Sequence, residues 1–230
     1  MIVVTGGSGF IGRKLAKELK AKIASRNNKL FIDLEKPNTL SKLKKFSIIV
    51  HSAAKIGYTW LPWFQDFNSF YKTNVKGTEN LLRYTNPKYF VFLSTLAVYN
   101  SQKLEKIKPR SFYGLTKYLA ERKCLEYAKK KNFKLLIIRL PMIYDVEEPK
   151  RETYFLLKFS FFLKLLKPIL KKKYIRVMER KTCIKRLASL IRKRKTGTVE
   201  IKGKMIPLSD FIEILNQKRA SLLLKKRREH

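Results

Sequence analysis

The chain opens MIVVTGGSGFIG over residues 1–12: an apolar run, Met1–Thr5, stops at a loop in which Gly6, Gly9 and Gly12 stand three residues apart. Directly after it, Ile11, Leu15 and Leu19 recur at four-residue spacing within Phe10–Ala21, the face of a helix. Strand, glycine loop and helix in that order have a specific use. Glycine at the turn lets the chain reverse sharply, and glycine beside a phosphate lets the backbone approach it. The helix N-terminus then offers N–H groups and a positive dipole end. The opening therefore predicts a βα unit that cradles a pyrophosphate, and its context carries weight that a lone glycine pattern would not.

Working outward, short apolar runs alternate with helical stretches. Lys22–Ser25, Leu30–Ile32, Phe46–His51, Tyr89–Ser94 and Lys134–Arg139 read as strands. Thr39–Lys45 with Asn38 as its cap, Asn68–Tyr84 and Phe112–Lys131 read as helices. This alternation predicts an α/β fold over residues 1–145, a Rossmann-type doubly wound parallel sheet covered by helices on both faces. From residue 146 the pattern weakens. Helices at 153–167, 182–193 and 208–217, with strands near 174–178 and 197–202, predict a small α/β region over 146–220. Residues 221–230, ending KKRRE and His230, read as a solvated basic tail.

The charge is large. Fifty-three Lys and Arg against 17 Asp and Glu give +36, with 45% hydrophobic and 12% aromatic residues. That apolar content excludes a disordered basic tail protein. A basic domain invites a nucleic-acid reading. Here, however, the excess is mostly Lys and lies throughout, +11 in residues 1–100 and +25 in 101–230. Such a spread fits compositional bias better than a clustered polyanion site. The most apolar segment, Tyr154–Leu170, contains Lys158, Lys164 and Lys167 and does not read as a spanning helix. Two cysteines, Cys124 and Cys183, make no disulfide framework, and no signal peptide precedes the first strand, so a cytoplasmic protein is expected.

TGGSGFIG, Thr5–Gly12, resembles the TGxxGxxG fingerprint of the short-chain dehydrogenase/reductase superfamily. Further segments match in order: FIDLEKP, IIVHSAA, NVKGTENLL, FLSTLAVY, YGLTKYLAE and RLPMIY, with a looser match in TGTVEIKGKMIPLSDFIEIL. Together they look most like the extended branch of nucleotide-sugar epimerases, dehydratases and reductases. The resemblance implies a bound NADP or NAD, held by Gly6, Gly9, Phe10, Ile11, Gly12, Arg26, Asp33, Leu34, Ser52, Ala53, Ala54 and Lys117. In similar proteins the residue matching Asp33 contacts the adenine; a turn or capping Asp is the other reading. At the end of the second strand an acid would bond the ribose 2′-OH, while an Arg accommodates a 2′-phosphate. Ser25 and Arg26 stand there with no acid beside them in sequence, which favours NADP.

Tyr113 and Lys117 form a YxxxK pair, on one helix face at i and i+4. A nearby ammonium favours phenolate over phenol, so Tyr113 is expected to act as acid and base on a substrate C–OH or C=O. By the same resemblance Lys117 also bonds the nicotinamide ribose. Thr95 polarises the substrate oxygen, with Ser94 as runner-up, and Asn74 supports Lys117. His51 reads as structural. No metal site is expected.

Departures matter as well. Asn100 follows AVY where the family has Gly. Arg139-Leu140-Pro141 replaces an RP pair. Leu96 stands where a dehydratase would carry an acid, which favours epimerase or keto-reductase chemistry. The implied substrate is a small molecule, an anionic nucleotide sugar, and the implied assembly a homodimer through helices 68–86 and 112–131. The shortened C-terminal region leaves a second reading, a cofactor-binding sensor or assembly subunit without catalysis. A third is a nucleic-acid or membrane-surface contact through the basic tail.

Overall fold

The computed structural model describes residues 1–57, 66–101, 103–160, 163 and 166–228. Two compact units divide the chain: Met1–Leu140 with Ile184–Ile201, and Pro141–Cys183 with Lys202–His230. The sequence boundary at 145 falls five residues later, and periodicity gives no sign that 184–201 returns to the first unit.

The first unit is built on a seven-stranded sheet in the order β3-β2-β1-β4-β5-β6-β9. Its strands are β1 (Ile2–Thr5), β2 (Lys22–Ser25), β3 (Leu30–Phe31), β4 (Ile48–His51), β5 (Tyr89–Thr95), β6 (Lys134–Leu140) and β9 (Gly197–Glu200). Every pairing is parallel. Val3, Val4, Ile49, Val50, Phe90, Val91, Leu136 and Ile138 are buried, and these runs are apolar throughout rather than alternating. That is the mark of a sheet covered on both faces. Strand order reverses between β1 and β4, so a crevice opens at the carboxyl ends of those two strands, where ligands of such sheets bind.

Helices α1 (Gly12–Glu18), α2 (Phe67–Phe70), α3 (Gly77–Tyr84) and α4 (Phe112–Lys131) belong to this unit. The periodicity predicts one helix over 68–84. Instead α2 and α3 are joined by a π-helical turn, Tyr71–Lys76. The expected helix at 39–45 is a 3-10 helix, Pro37–Leu43, preceded by Lys36 rather than capped by Asn38. Pro37 fixes the start there, because proline fits the first helical turn and lacks the N–H that a later position needs. α4 is well framed: Ser111 accepts from Gly114 N at 3.1 Å, and Asn132 ends the helix in the left-handed conformation, φ 51°. Lys131 Nζ donates to the carbonyls of Leu82, Arg83 and Thr85 at 2.7–2.8 Å, placing a cation on the last carbonyls of α3.

The second unit holds β7 (Met142–Tyr144), β8 (Tyr174–Glu179) and β10 (Lys204–Pro207), with β10 antiparallel and β7 parallel to β8. Helices α5 (Arg151–Lys158), α6 (Lys167–Lys171) and α8 (Leu208–Arg228) pack a small core that includes Tyr144, Leu156, Val177, Ile206, Phe211 and Leu215. Helix α7 (Arg180–Arg192) leads the chain back to the first unit. The strand expected at 197–202 stops at Glu200, and Gly203, φ 66°, precedes a second one, β10, in the other sheet. The expected helix at 153–167 corresponds to α5, and part of its span lies outside the described residues. The basic tail begins inside α8 rather than after it, because 221–228 continue the helix. Among the described residues no helix is long and apolar enough to cross a membrane.

Candidate active site

The glycine loop lies at the crevice between β1 and β4. Gly6 has φ 68°, and a Cβ there would stand 2.5 Å from the backbone N and Cα of Ala53, just beyond β4. A Cβ on Gly12 would overlap the Gly6 carbonyl and stand 2.6 Å from Ser52 Oγ. Ser52 in turn donates to the Thr5 carbonyl at 2.8 Å. The loop is therefore drawn tightly against Ser52 and Ala53 by the absence of two side chains. Gly7, which the fingerprint does not single out, has the same need: its Cβ would meet Ile23 Cγ2 at 2.5 Å. Ile11 precedes α1 and puts no side-chain cap on its first N–H groups. Ser8 and Ser25 hydroxyls meet at 2.6 Å and tie the loop to the end of β2.

Around the next strand ends, Asp33 uses its carboxylate locally. Oδ1 accepts from Glu35 N at 3.0 Å, the turn role foreseen as the second reading, while Oδ2 has no partner among the described residues. The Leu34 carbonyl accepts from Asn80 Nδ2 at 2.9 Å, and Leu34 Cβ lies 2.9 Å from where a Gly77 Cβ would be. Arg26 is exposed at the end of β2. Folding brings it an acid that sequence proximity did not show. The charge of Arg26 adds to the Thr73 and Lys72 hydrogen bonds that hold the Glu35 carboxyl below its ordinary range.

Thr95 ends β5, and its Oγ1 accepts from Ala97 N at 3.1 Å, capping the 3-10 turn Leu96–Val98. Its hydroxyl proton remains to be donated outward. Ser94 faces the other way and donates to Glu121 Oε1 at 2.5 Å, inside the unit. Alternation along the strand thus separates the two candidates. Helix α4 begins against the same turn: a Cβ on Gly114 would overlap the Ala97 carbonyl. This approach sets the first turn of α4 against the turn that follows β5, and Lys117 over the middle of that strand. Tyr113 is half-buried. Lys117 is 2% exposed, and its Nζ lies 3.8 Å from the centre of the Phe92 ring with no hydrogen-bond partner among the described residues. Burial draws its pKa down to about 8. A buried ammonium bonded only to a ring face still has N–H groups to give to a ligand.

Asn74 sits in the π-helical turn, a distortion that often marks functional positions. Its Nδ2 donates to the Lys55 carbonyl at 3.0 Å and to Thr116 Oγ1 at 3.1 Å, and Oδ1 accepts from Lys55 N at 2.7 Å. Both amide protons are used, so Asn74 steadies α4 through Thr116, the neighbour of Lys117. The chain continues behind it. Thr78 Oγ1 donates to the Asn74 carbonyl at 2.6 Å, so it must accept from His51 Nε2 at 3.0 Å, and Thr5 donates to His51 Nδ1 at 2.6 Å. His51 is fully buried and its pKa is lowered to about 3 by desolvation and by the charge of Lys117. An imidazole kept neutral in the fold binds its proton only in the unfolded chain. Its contribution is therefore complete above the unfolded value near 6.5 and is lost as pH falls toward 3. Urea unfolding should show stability dropping by about 1.4 kcal/mol per pH unit between pH 6.5 and 4.5. His51→Asn should flatten that window; an unchanged slope would rule His51 out as its source.

A family model described as the NAD dependent epimerase/dehydratase family matches residues 2–159, which contain every residue of this candidate site. The chain belongs to the NAD-dependent epimerase/dehydratase family. Within it, D-erythronate dehydrogenase of Haemophilus influenzae is 31% identical over 174 residues, covering 62% of this chain and 54% of that protein. This family member spans about half the length of the curated relatives it matches. Among solved structures, a dTDP-glucose 4,6-dehydratase of Streptomyces venezuelae with NAD bound superposes with a TM-score of 0.77 at 17% identity, covering 94% of this chain and 80% of that one. RMD of Pseudomonas aeruginosa complexed with NADPH gives 0.74 at 18%, covering 96% and 85%. Both likenesses bear on the fold.

Two features of this family member escaped the sequence. One is Gly114, read only as a letter within YGLTK. The other is a buried chain in which Arg139 binds Glu121, with Ser94 and Tyr99 attached. A signal for it existed: Arg139 lies in an otherwise apolar strand and Glu121 four residues after Lys117, and buried charges need partners.

Proposed function

We propose that the chain binds a nicotinamide dinucleotide along the glycine loop and uses Tyr113 as acid and base on a hydroxyl or carbonyl carbon of a nucleotide sugar, in epimerase or keto-reductase chemistry. The observation that carries this is the buried Lys117 ammonium, one turn from Tyr113, in a unit whose glycine loop is closed onto Ala53 and Ser52 by Gly6 and Gly12. Those residues fit the cofactor: a glycine cradle for the pyrophosphate and an ammonium with N–H groups to spare for a ribose. When bound, the nicotinamide supplies hydride exchange with the substrate carbon. Thr95 donates its hydroxyl proton to the substrate oxygen and holds it. Tyr113 takes or returns that oxygen's proton. Lys117 stabilises the phenolate and bonds the ribose, and Asn74 keeps the helix carrying both in place. D-erythronate dehydrogenase and the UDP-glucose 4-epimerase of Vibrio cholerae, by their names, support a sugar-like substrate.

The test is to identify the dinucleotide that copurifies and then follow reduced-nicotinamide absorbance and product epimers across a panel of sugar nucleotides. Turnover supports the reading. Bound dinucleotide with no turnover on any of them assigns the chain to the non-catalytic reading. No bound dinucleotide and no turnover overturns both.

NADP is the cofactor preferred here, through Arg26 and the 2′-phosphate, although Glu35 tempers that charge. Arg26→Ala should weaken NADPH binding about tenfold and leave NADH unchanged, the size of one exposed charge-assisted hydrogen bond. Equal effects on both dinucleotides, read by fluorescence titration, would remove Arg26 from the assignment. The assembly is proposed to be a homodimer.

A further inference from the structure

One charged network in the first unit has no part in the chemistry just described. Ser94 Oγ donates to Glu121 Oε1 at 2.5 Å, and Arg139 donates to the same carboxylate from Nε at 3.1 Å and Nη2 at 2.7 Å. Arg139 Nη1 donates to the Tyr99 hydroxyl at 2.6 Å, and Tyr99 donates to Glu200. Glu121 is 2% and Arg139 8% exposed. A pair buried this deeply is poor evidence for stability, since apolar replacements of similar volume are often as stable. Its placement suggests another use.

Glu121 lies one helical turn beyond Lys117 on α4. Ser94 lies two residues beyond Phe92 on β5, so both point to the same face of the sheet. Helix α4 is thus pinned to β5 at two successive levels: the Lys117 ammonium on the Phe92 ring, and the Glu121 carboxylate on the Ser94 hydroxyl. We propose that Glu121, aligned by Ser94 and Arg139, is a positioning residue that fixes the rotation of α4 and holds Lys117 as the ammonium the Tyr113 proton transfer requires. This rests on the roles given to Tyr113 and Lys117 above.

Among the described residues, the groups that act on Lys117 are Glu121 and Cys124 of its own helix, His51 of β4 and the Phe92 ring of β5, with Arg139 of β6 behind Glu121. Burial lowers the Lys117 pKa to about 8, while Cys124 and Glu121 oppose that fall. Burial also pushes the Cys124 thiol far up, and His51 is neutral, so Glu121 is the working counter-charge near pH 8. The signs follow. Removing the Glu121 charge makes Lys117 lose its proton at lower pH. Removing the Arg139 charge frees the field of Glu121 and makes Lys117 keep its proton to higher pH. A merely structural role would not move the two in opposite directions.

The experiment follows the Lys117 titration by NMR of labelled lysine side chains, assigned against Lys117→Met, beside the pH profile of kcat/KM. In Glu121→Gln the Lys117 midpoint and the alkaline limb should fall by about one unit; in Arg139→Met they should rise by about half a unit. Ser94→Ala should lower kcat several-fold and leave the midpoint in place. Shifts of the same sign in the two charge variants, or none, overturn the proposal. If both single variants fail to fold, Glu121→Met with Arg139→Met removes the two buried charges together and leaves only the partly exposed Glu200 without its cation, and its midpoint should still fall; an unmoved midpoint overturns the proposal. The titration needs no substrate. Absent turnover with opposite shifts intact would sink the proposed function alone, and turnover with an indifferent Lys117 would sink the positioning role alone.

Discussion

Tyr113→Phe should lower kcat by about a thousandfold, within the range of a lost general acid and base, while dinucleotide affinity stays within about twofold. The argument is local. Phe keeps the ring and removes the hydroxyl proposed to exchange a proton with the substrate oxygen. Thr95 cannot replace it. Its hydroxyl oxygen already accepts from Ala97 N at 3.1 Å, and a hydroxyl without a base beside it is a donor, not a proton acceptor. Lys117 cannot replace it either, because its ammonium is packed on the Phe92 ring and is 2% exposed. The two kinetic constants separate the explanations. A fall in kcat with KM unchanged marks a group acting in the transition state, whereas a rise in KM alone would mark Tyr113 as a binding residue. Turnover by Tyr113→Phe within tenfold of the unchanged protein would end the acid–base assignment.

Much of this site was legible because its residues need particular backbone. The opening strand, loop and helix announce themselves by a change of period at Gly6, and the fold contains them over Ile2–Thr5 and Gly12–Glu18. β4, β5 and β6 were legible as apolar runs too short for helices. What was not legible depends on sequence-distant partners. Ser94 and Thr95 are neighbours in the chain, and only Glu121, 27 residues on, shows which hydroxyl is committed inward. The π-helical turn has no compositional mark, and the partners Asn74 reaches from it, the Lys55 backbone and Thr116, are distant in sequence. β7 is three residues long and follows Pro141, too little for a periodic signal. The +36 charge, conspicuous in composition, marks none of these positions. The charged groups proposed to act at the site, Lys117, Glu121 and Arg139, are buried.

The glycine loop gives the other large effect, and it separates folding from binding. Gly6→Ala should lower stability by roughly 2–4 kcal/mol, the range of a strained backbone combined with a steric clash. Gly6 has φ 68°, and its Cβ would stand 2.5 Å from two backbone atoms of Ala53. Those atoms cannot retreat freely. Thr5 pairs with His51 across β1 and β4, and Ser52 N donates to the Thr5 carbonyl at 3.1 Å. Gly9 is different. Its φ is not positive, and its Cβ would meet only the Gly6 carbonyl, at 3.1 Å. Gly9→Ala should therefore shift the unfolding midpoint by no more than about 2 °C, the equivalent of under 1 kcal/mol for a chain of this size. Yet the same methyl would occupy the surface proposed to receive the pyrophosphate, so dinucleotide affinity should fall about a hundredfold. If both variants lose stability and affinity in proportion, the loop's glycines serve the fold alone. A near-normal unfolding midpoint with lost binding in Gly9→Ala, beside combined loss in Gly6→Ala, would assign Gly6 to the architecture and Gly9 to the ligand.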